Sequence, residues 1–245
     1  MINPDFEKGF THVKRQRKSW RLDSHVEKRL LWIGLVLIVL CLFLTGYADK
    51  SVAAYFRATD QIVFRFLKKI TFLGNSAVYL FPLGVLCLSL RLTSLLSRFS
   101  SHKARLINAF NYLLFLFTSI AISGIIINIL KVICGRSRPV LLFEKNYYGF
   151  FLFEFSSDML SFPSGHANTI FALTVSLFLL WPRWWFFYFP AAIMIAASRI
   201  VTGSHYPSDV IAGSYLGLVT SLYVKQYFDI FVFRNRLFTG SSKRT

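Results

Sequence analysis

Stretches of about twenty apolar residues recur along the chain, and they constrain the fold more than any other feature. The run from Leu30 to Ala48 is free of charge until its end, and similar runs cover Ile70–Leu90 and Leu106–Leu130. A span of this length matches the hydrocarbon thickness of a bilayer. Only 16% of the 245 residues are charged and 55% are hydrophobic, which is too little polar surface to wrap a water-soluble core of this size. Mean hydropathy is +0.52. Three further segments, His166–Trp181, Trp184–Ser198 and Asp209–Phe228, complete a set of six. A backbone facing lipid must satisfy its own hydrogen bonds, so each segment is expected to be a helix. The fourth and fifth are short for a crossing and are expected to extend into the motifs beside them.

The expected fold class is therefore all-α: a polytopic integral membrane protein with six transmembrane helices. Ser51–Lys69 mixes Val52, Tyr55, Phe56, Ile62 and Phe66 with Arg57, Asp60, Arg65 and Lys68. It reads as an amphipathic helix lying in the interface after the first span, with a solvated loop as the alternative. Three units follow: a basic N-terminal segment over 1–29, a six-helix membrane domain over 30–228, and a basic tail over 229–245.

A net charge of +17 suggests nucleic acid, but its distribution points to the bilayer. KRQRKSWR (14–21), RLTSLLSRFSSHKAR (91–105) and the tail fall on one side of a six-span layout, with most of the 28 Lys and Arg. The positive-inside rule places that side, and both termini, in the cytoplasm. The same basic segments suit anionic lipid headgroups. No cleaved signal sequence is expected. Cys41, Cys87 and Cys134 are scattered, so no disulfide or metal framework is implied.

Alternating helix direction gathers three polar clusters on the opposite face. They are KVICGRSRP (131–139), FPSGH (162–166) and SRIVTGSHYPSD (198–209). Together they offer Lys131, Arg136, Arg138 and Arg199 as cations, His166 and His205, and the carboxylate of Asp209. Clustered cations near a bilayer call for an anion, and Arg grips phosphate by paired hydrogen bonds. Pro163 suits a first helical turn. Gly165 permits close backbone approach, and Ser164 adds a hydroxyl to the free N–H groups of a helix start. His205 and Asp209, four apart with helix beginning near Pro207, form a nucleophile and its orienting carboxylate. His166 is then the acid for a leaving alkoxide. Blander readings stand beside these. Ser-Gly-His is a common cap, span-end Lys and Arg snorkel and Arg136 in particular suits that role, and two His with one Asp are zinc-ligand types.

The spacing Lys131-x6-Arg138-Pro139, then Pro163-Ser164-Gly165-His166, then Ser198-Arg199-x5-His205-x3-Asp209, resembles the three-part signature of the type 2 phosphatidic acid phosphatase superfamily. All defining positions match, over residues 131–209. The resemblance implies that His205 attacks phosphorus to form a phosphohistidine, Asp209 orients it, and His166 protonates the leaving group. It implies that Lys131, Arg138, Ser164, Gly165 and Arg199 hold the phosphate oxygens, with no metal and no cofactor. The implied partners are a lipid phosphate substrate and the bilayer, at the periplasmic face of an inner membrane, with oligomeric state open. The runs FEFSSDMLSFPSGHANT and SRIVTGSHYPSDVIAG are most similar to lipid A 1-phosphatases. Undecaprenyl diphosphate phosphatases share much of them, and phosphatidylglycerophosphate phosphatases are a third branch. A lipid phosphotransferase and a non-catalytic lipid-binding protein are the readings from other classes. The aromatic loop 141–160 reads either as an interfacial belt or as a wall beside the lipid entrance, with Lys145 suited to a second phosphate.

Overall fold

A computed structural model describes residues 23–58, 62–96 and 102–233. The basic stretch 14–21 and nearly all of the tail lie outside the described residues. What is described is helical, without a strand. In chain order it comprises α1 (Ser24–Tyr47), α2 (Asp49–Ala58), α3 (Ile62–Ile70), α4 (Ala77–Leu95), α5 (Lys103–Cys134), α6 (Pro139–Lys145), α7 (Gly165–Leu180), α8 (Trp185–Val201) and α9 (Pro207–Tyr227). All six apolar segments of the sequence form helices. Among the described residues, four stretches are long and apolar enough to cross a membrane: Ser24–Tyr47, Arg65–Leu95, Lys103–Cys134 and Pro182–Val201.

Several boundaries depart from the sequence reading. On either side of 59–61, which lie outside the described residues, the Ser51–Lys69 stretch is helical, in α2 and α3. The second long helix starts at Ala77, not Ile70, because a 3-10 turn over Thr71–Gly74 intervenes and the Asn75 side chain accepts the Ala77 N–H at 3.0 Å. At the end of α5, Gly135 adopts a left-handed conformation (φ 51°), so Lys131 lies in the last helical turn. A side chain at Gly135 would run into the Phe151 carbonyl. The loop is tied there by Phe151 N–H donating to Gly135 O at 2.9 Å.

The fourth apolar segment does not lengthen into its motif. Helix α7 has 16 residues and starts at Gly165, with Ser164 as its N-cap. It rises about 24 Å, short of the roughly 30 Å of a hydrocarbon core. Pro163 precedes the cap rather than filling the first turn, and its bond to Phe162 is cis. Such irregular backbone is tolerated at membrane depth only when it is packed in protein, and Ser161, Pro163 and Ser164 are fully buried.

Helix α7 is the axis of the bundle, packed against α5, α8 and α9. Its contact with α9 is nearly backbone on backbone. Gly213 and Gly217 of α9 lie against Ser164 and Asn168 of α7, both pairs four residues apart, so one face of each helix meets the other. A Cβ at either glycine would sit 2.3 Å from a carbonyl oxygen, of Ser164 and Asn168 respectively. One turn on, Ser221 donates to Ala172 O at 3.0 Å. Small residues replace a hydrophobic driving force that lipid cannot supply. Asn168 also donates to Ser123 of α5 at 3.1 Å. Helix α1 is held more lightly, through the Tyr215 hydroxyl donating to Leu30 O and through Cys41 beneath Ser208. The α7–α9 contact is expected to be intolerant of volume. Gly217→Ala should destabilise the protein by about 1–3 kcal/mol. Gly46→Ala, where no atom lies within 4 Å of the added carbon, should be neutral, as thermal melts in detergent will show.

Candidate active site

The glycine-tight α7–α9 pair sets the start of both helices side by side. Ser164 N–H donates to the Asp209 carbonyl at 2.9 Å. Pro207 is the first residue of α9, where a missing N–H costs nothing, and Asp209 sits in that first turn. Its carboxylate Oδ2 accepts the Tyr206 N–H at 2.9 Å, closing the helix start. The backbone N–H of His205 donates to Arg199 O at 3.2 Å, which folds the end of α8 onto the start of α9.

Two side-chain contacts fix the His205 ring. Nδ1 lies 3.4 Å from Ser161 Oγ and 3.6 Å from Asp209 Oδ2. The second distance is a charge contact longer than a hydrogen bond. Ser161 bridges the pair, donating to Asp209 Oδ2 at 2.6 Å. The other ring nitrogen, Nε2, takes part in neither contact. Burial pushes the pKa of His205 down to about 4; Asp209 opposes this, while Lys131 and Arg138 add to it. The ring is therefore neutral at physiological pH.

Facing it are the cations. Lys131 reaches from α5 and donates to Leu160 O at 2.5 Å, with its Cε beside Gly165. Arg138 Nε donates to Ser157 O at 2.9 Å, and Arg199 Nη1 donates to Thr71 Oγ1 at 2.7 Å. Arg199 Nε and Ser164 Oγ are buried with no hydrogen-bond partner among the described residues. Buried polar groups without partners are uncommon, and here two of them flank the N-terminus of α7. The charges of Arg199, His205, Lys131 and Arg138 all bear on His166. The structure thus gathers all eight residues singled out in the sequence. They form a cluster of three cations, helix-start N–H groups and a paired histidine, referred to below as the pocket.

Of three further residues around this pocket, the sequence reading named Arg136 only as a site cation or a snorkelling residue and missed Asp49 and Gly74. Arg136 is neither a snorkelling cation nor part of the pocket wall: it is fully buried behind Asp209. It donates through Nη1 to Asp209 Oδ1, and through Nη2 to Asp49 Oδ2 at 2.7 Å. Rings of Tyr206, Phe150 and Tyr148 surround its guanidinium at 4.5, 5.0 and 5.6 Å. Burial works against its charge, but Asp209 and Asp49 more than offset this and raise its pKa. Asp49, at the start of α2, is equally buried and also accepts from Ser208 N–H at 3.2 Å and from the Ser208 hydroxyl. Gly74 is the third. A Cβ there would lie 2.7 Å from Cβ and Cδ2 of His166, so only glycine leaves room for that ring.

The aromatic loop divides between roles. Tyr148 and Phe150 turn inward to Arg136, and the Tyr148 hydroxyl donates to Thr45 O at 2.6 Å. Phe153 and Phe155 face outward. Lys145 shares a cleft of about 320 Å³ with Glu154 and Asp158. Two carboxylates beside one ammonium make that cleft a poor site for a second phosphate, against the sequence expectation. A second cleft, of about 460 Å³, is almost wholly apolar and runs between α1, α5 and α9. Phe162 and Pro163 form its wall next to Ser164. Among the described residues no three His, Cys, Asp or Glu are grouped to hold a metal ion.

Residues 112–232 match the PAP2 superfamily, the span that holds every residue of the pocket. The chain carries a PAP2 superfamily domain. Over 103 residues the chain is 39% identical to a lipid A 1-phosphatase of Rhizobium etli, covering 42% of this chain and 44% of that one. It is 33% identical over 100 residues to an undecaprenyl-diphosphatase of Sulfolobus acidocaldarius, covering 40% and 47%. These alignments span just under half the length of the curated relatives. The fold is similar to a solved structure, a transmembrane PAP2 type phosphatidylglycerolphosphate phosphatase from Bacillus subtilis. The TM-score is 0.58 at 18% identity, over 82% of this chain and 96% of that one. Gly74 lies before the matched span but packs on it, and Gly74→Ala is expected to push the His166 ring aside. Any turnover that uses this ring should fall about 10²-fold, more than the accompanying loss of folded protein explains, when activity per folded molecule and the melt are measured on the same preparation.

Proposed function

We propose that the PAP2 domain is a membrane lipid phosphatase that works through a phosphohistidine. The observation that carries this is the pocket itself. Three cations, an unpartnered Ser164 hydroxyl and the N-terminus of α7 converge on a buried, neutral His205 backed by Asp209. Phosphoryl transfer needs positioning and charge stabilisation above all, and this pocket offers both.

Lys131, Arg138 and Arg199 take the phosphate oxygens with Ser164 Oγ and the N–H of Gly165. Nε2 of His205 attacks phosphorus in line. A P–N bond forms as the P–O bond to the lipid breaks, and the electron pair leaves on the lipid oxygen, which takes a proton from His166 in its imidazolium form, held beside the bound phosphate's negative charge. Asp209 balances the positive charge on the phosphorylated ring. In the second step His166 takes a proton from water, the oxygen attacks phosphorus, and the P–N bond breaks to release inorganic phosphate and neutral His205. Every charge that develops meets a side chain of this chain, with no metal or cofactor in the scheme.

The favoured substrate is the 1-phosphate of lipid A. The relatives so named are more similar to this chain than the one named for undecaprenyl diphosphate, which supplies the second reading. The apolar cleft whose wall includes Phe162 suits a lipid chain beside the phosphate. Purified protein in detergent with EDTA is expected to release phosphate from lipid A ahead of undecaprenyl diphosphate and phosphatidylglycerophosphate. His205→Ala should lower release at least about 10³-fold while leaving the melt unchanged. Activity lost to EDTA and restored by added metal would overturn the mechanism. Dominant release from undecaprenyl diphosphate would move the protein to carrier-lipid recycling, and transfer to an acceptor lipid without free phosphate would make it a phosphotransferase.

The same reading gives six spans, with α7 and α9 completing the four longer crossings, both termini cytoplasmic and the pocket on the periplasmic face of the inner membrane. A reporter fused after residue 245 should score cytoplasmic; a periplasmic score would invert this layout.

A further inference from the structure

The carboxylate of Asp209 faces two opposite charges. On one side is the ring of His205, which becomes cationic when Nε2 is phosphorylated. On the other is the guanidinium of Arg136, permanently charged and donating directly to Asp209 Oδ1. Taken alone, Arg136 and Asp209 are a neutral pair, with little negative potential left for the histidine. Asp49 changes the balance. It lies on the far side of the same guanidinium, 2.7 Å from Nη2, and neither it, Arg136 nor Asp209 is exposed to solvent. The three together carry one net negative charge. Ser208 locks the set, donating to Asp49 from both its N–H and its hydroxyl while that hydroxyl accepts from Arg136 Nη1 at 2.7 Å.

We infer that Asp49 and Arg136 are positioning residues for the reaction at His205. Arg136 holds the Asp209 carboxylate in place, and Asp49, delivered from α2, restores the negative charge that Arg136 would otherwise cancel. This rests on the phosphohistidine reading above. It assigns the segment after α1 a part in the chemistry, although none of the three sequence clusters lies there.

Asp49→Asn tests the charge, because it keeps the shape of the side chain and removes only its charge. The groups that bear on the His205 ring are Asp209 of α9, Lys131 of α5, Arg138 after it and His166 of α7. None is altered by the substitution. His205 must be neutral to attack, so kcat/KM falls as pH drops through its pKa, expected near pH 4 in the wild type. Removing a buried negative charge nearby makes the imidazolium harder to form. The acid limb should therefore move about one pH unit lower in Asp49→Asn. On the plateau kcat should fall about 10–100-fold with KM changed less than about threefold, since the phosphate cradle is untouched. Asp49→Glu, which keeps the charge, should recover much of the rate and the wild-type limb. NMR titration of the His205 ring in nitrogen-15-labelled protein reads the same shift without turnover. A His205 titration identical in wild type and Asp49→Asn would overturn the inference, as would a fall in melting temperature with unchanged kcat per folded molecule. Wild-type protein that releases no phosphate but shows the shifted titration would instead count against the phosphatase reading and leave the electrostatic link standing.

Discussion

A single guanidinium, sealed from solvent, ties this bundle together. Arg136 leaves the end of α5, passes behind α9 and meets a carboxylate at each side, one from the start of α2 and one from the first turn of α9. Breaking a buried ion pair by removing one partner is far costlier than never having built it, because the remaining charge has nowhere to go. Each of the three residues therefore demands the others. The loop 146–151 turns its Tyr148 and Phe150 inward to close the chamber around them. Lipid-facing helices have little hydrophobic reason to associate, and α1 in particular exposes most of its surface. The Asp49 contact gives α1 a fixed place at the head of the bundle, while Leu30 and Tyr215 secure it lower down.

The second constraint is distance between backbones. Gly213 and Gly217 let α9 approach α7 until side chains are all but absent from the contact. Two helix starts then lie side by side, and the Ser164 N–H finds the Asp209 carbonyl. Ser164 and Asp209 are separated by 45 positions in sequence, yet they are linked by one hydrogen bond in space. A pocket built this way is as rigid as the helix pair that carries it.

Much of this was legible in the sequence. Apolar runs marked all six long helices, with ends off by up to about seven residues, because hydrophobic length is a strong signal. The clusters at 131–139, 162–166 and 198–209 were seen to share a face, because helix direction alternates. The beginning of α9 at Pro207, with Asp209 within reach of His205, followed from Pro and spacing. Other features were hidden. Asp49 follows directly on an apolar run and opens a mixed stretch, where charge composition says nothing about which residue turns inward. Arg136 stood among three similar cations; only the partners it meets from distant segments distinguish it. The Gly213-x-x-x-Gly217 spacing, continued by Ser221, was a signal present in the sequence and passed over. Gly74 carried no signal at all, since its role depends on a ring 92 residues away. The short α7 was expected to borrow residues from its motif, but Ser164 instead caps the helix and the segment before it packs as irregular chain.

That last feature bears on how such a chain tolerates change. The residues that lead into a short, deeply packed helix cannot be spare linker when they are themselves buried. Here they are Ser161, Phe162, Pro163 and Ser164, which contact the His205 ring, wall the apolar cleft and cap α7. In the loop beyond Asn146 there is slack at least for substitution, since the side chains of Phe153 and Phe155 face outward. Between Ser161 and Gly165 there is no such slack. One added residue there would rotate α7 by about 100° and turn its Asn168 and Ala172 face away from α9. Length, in this five-residue stretch, is as strictly specified as residue identity.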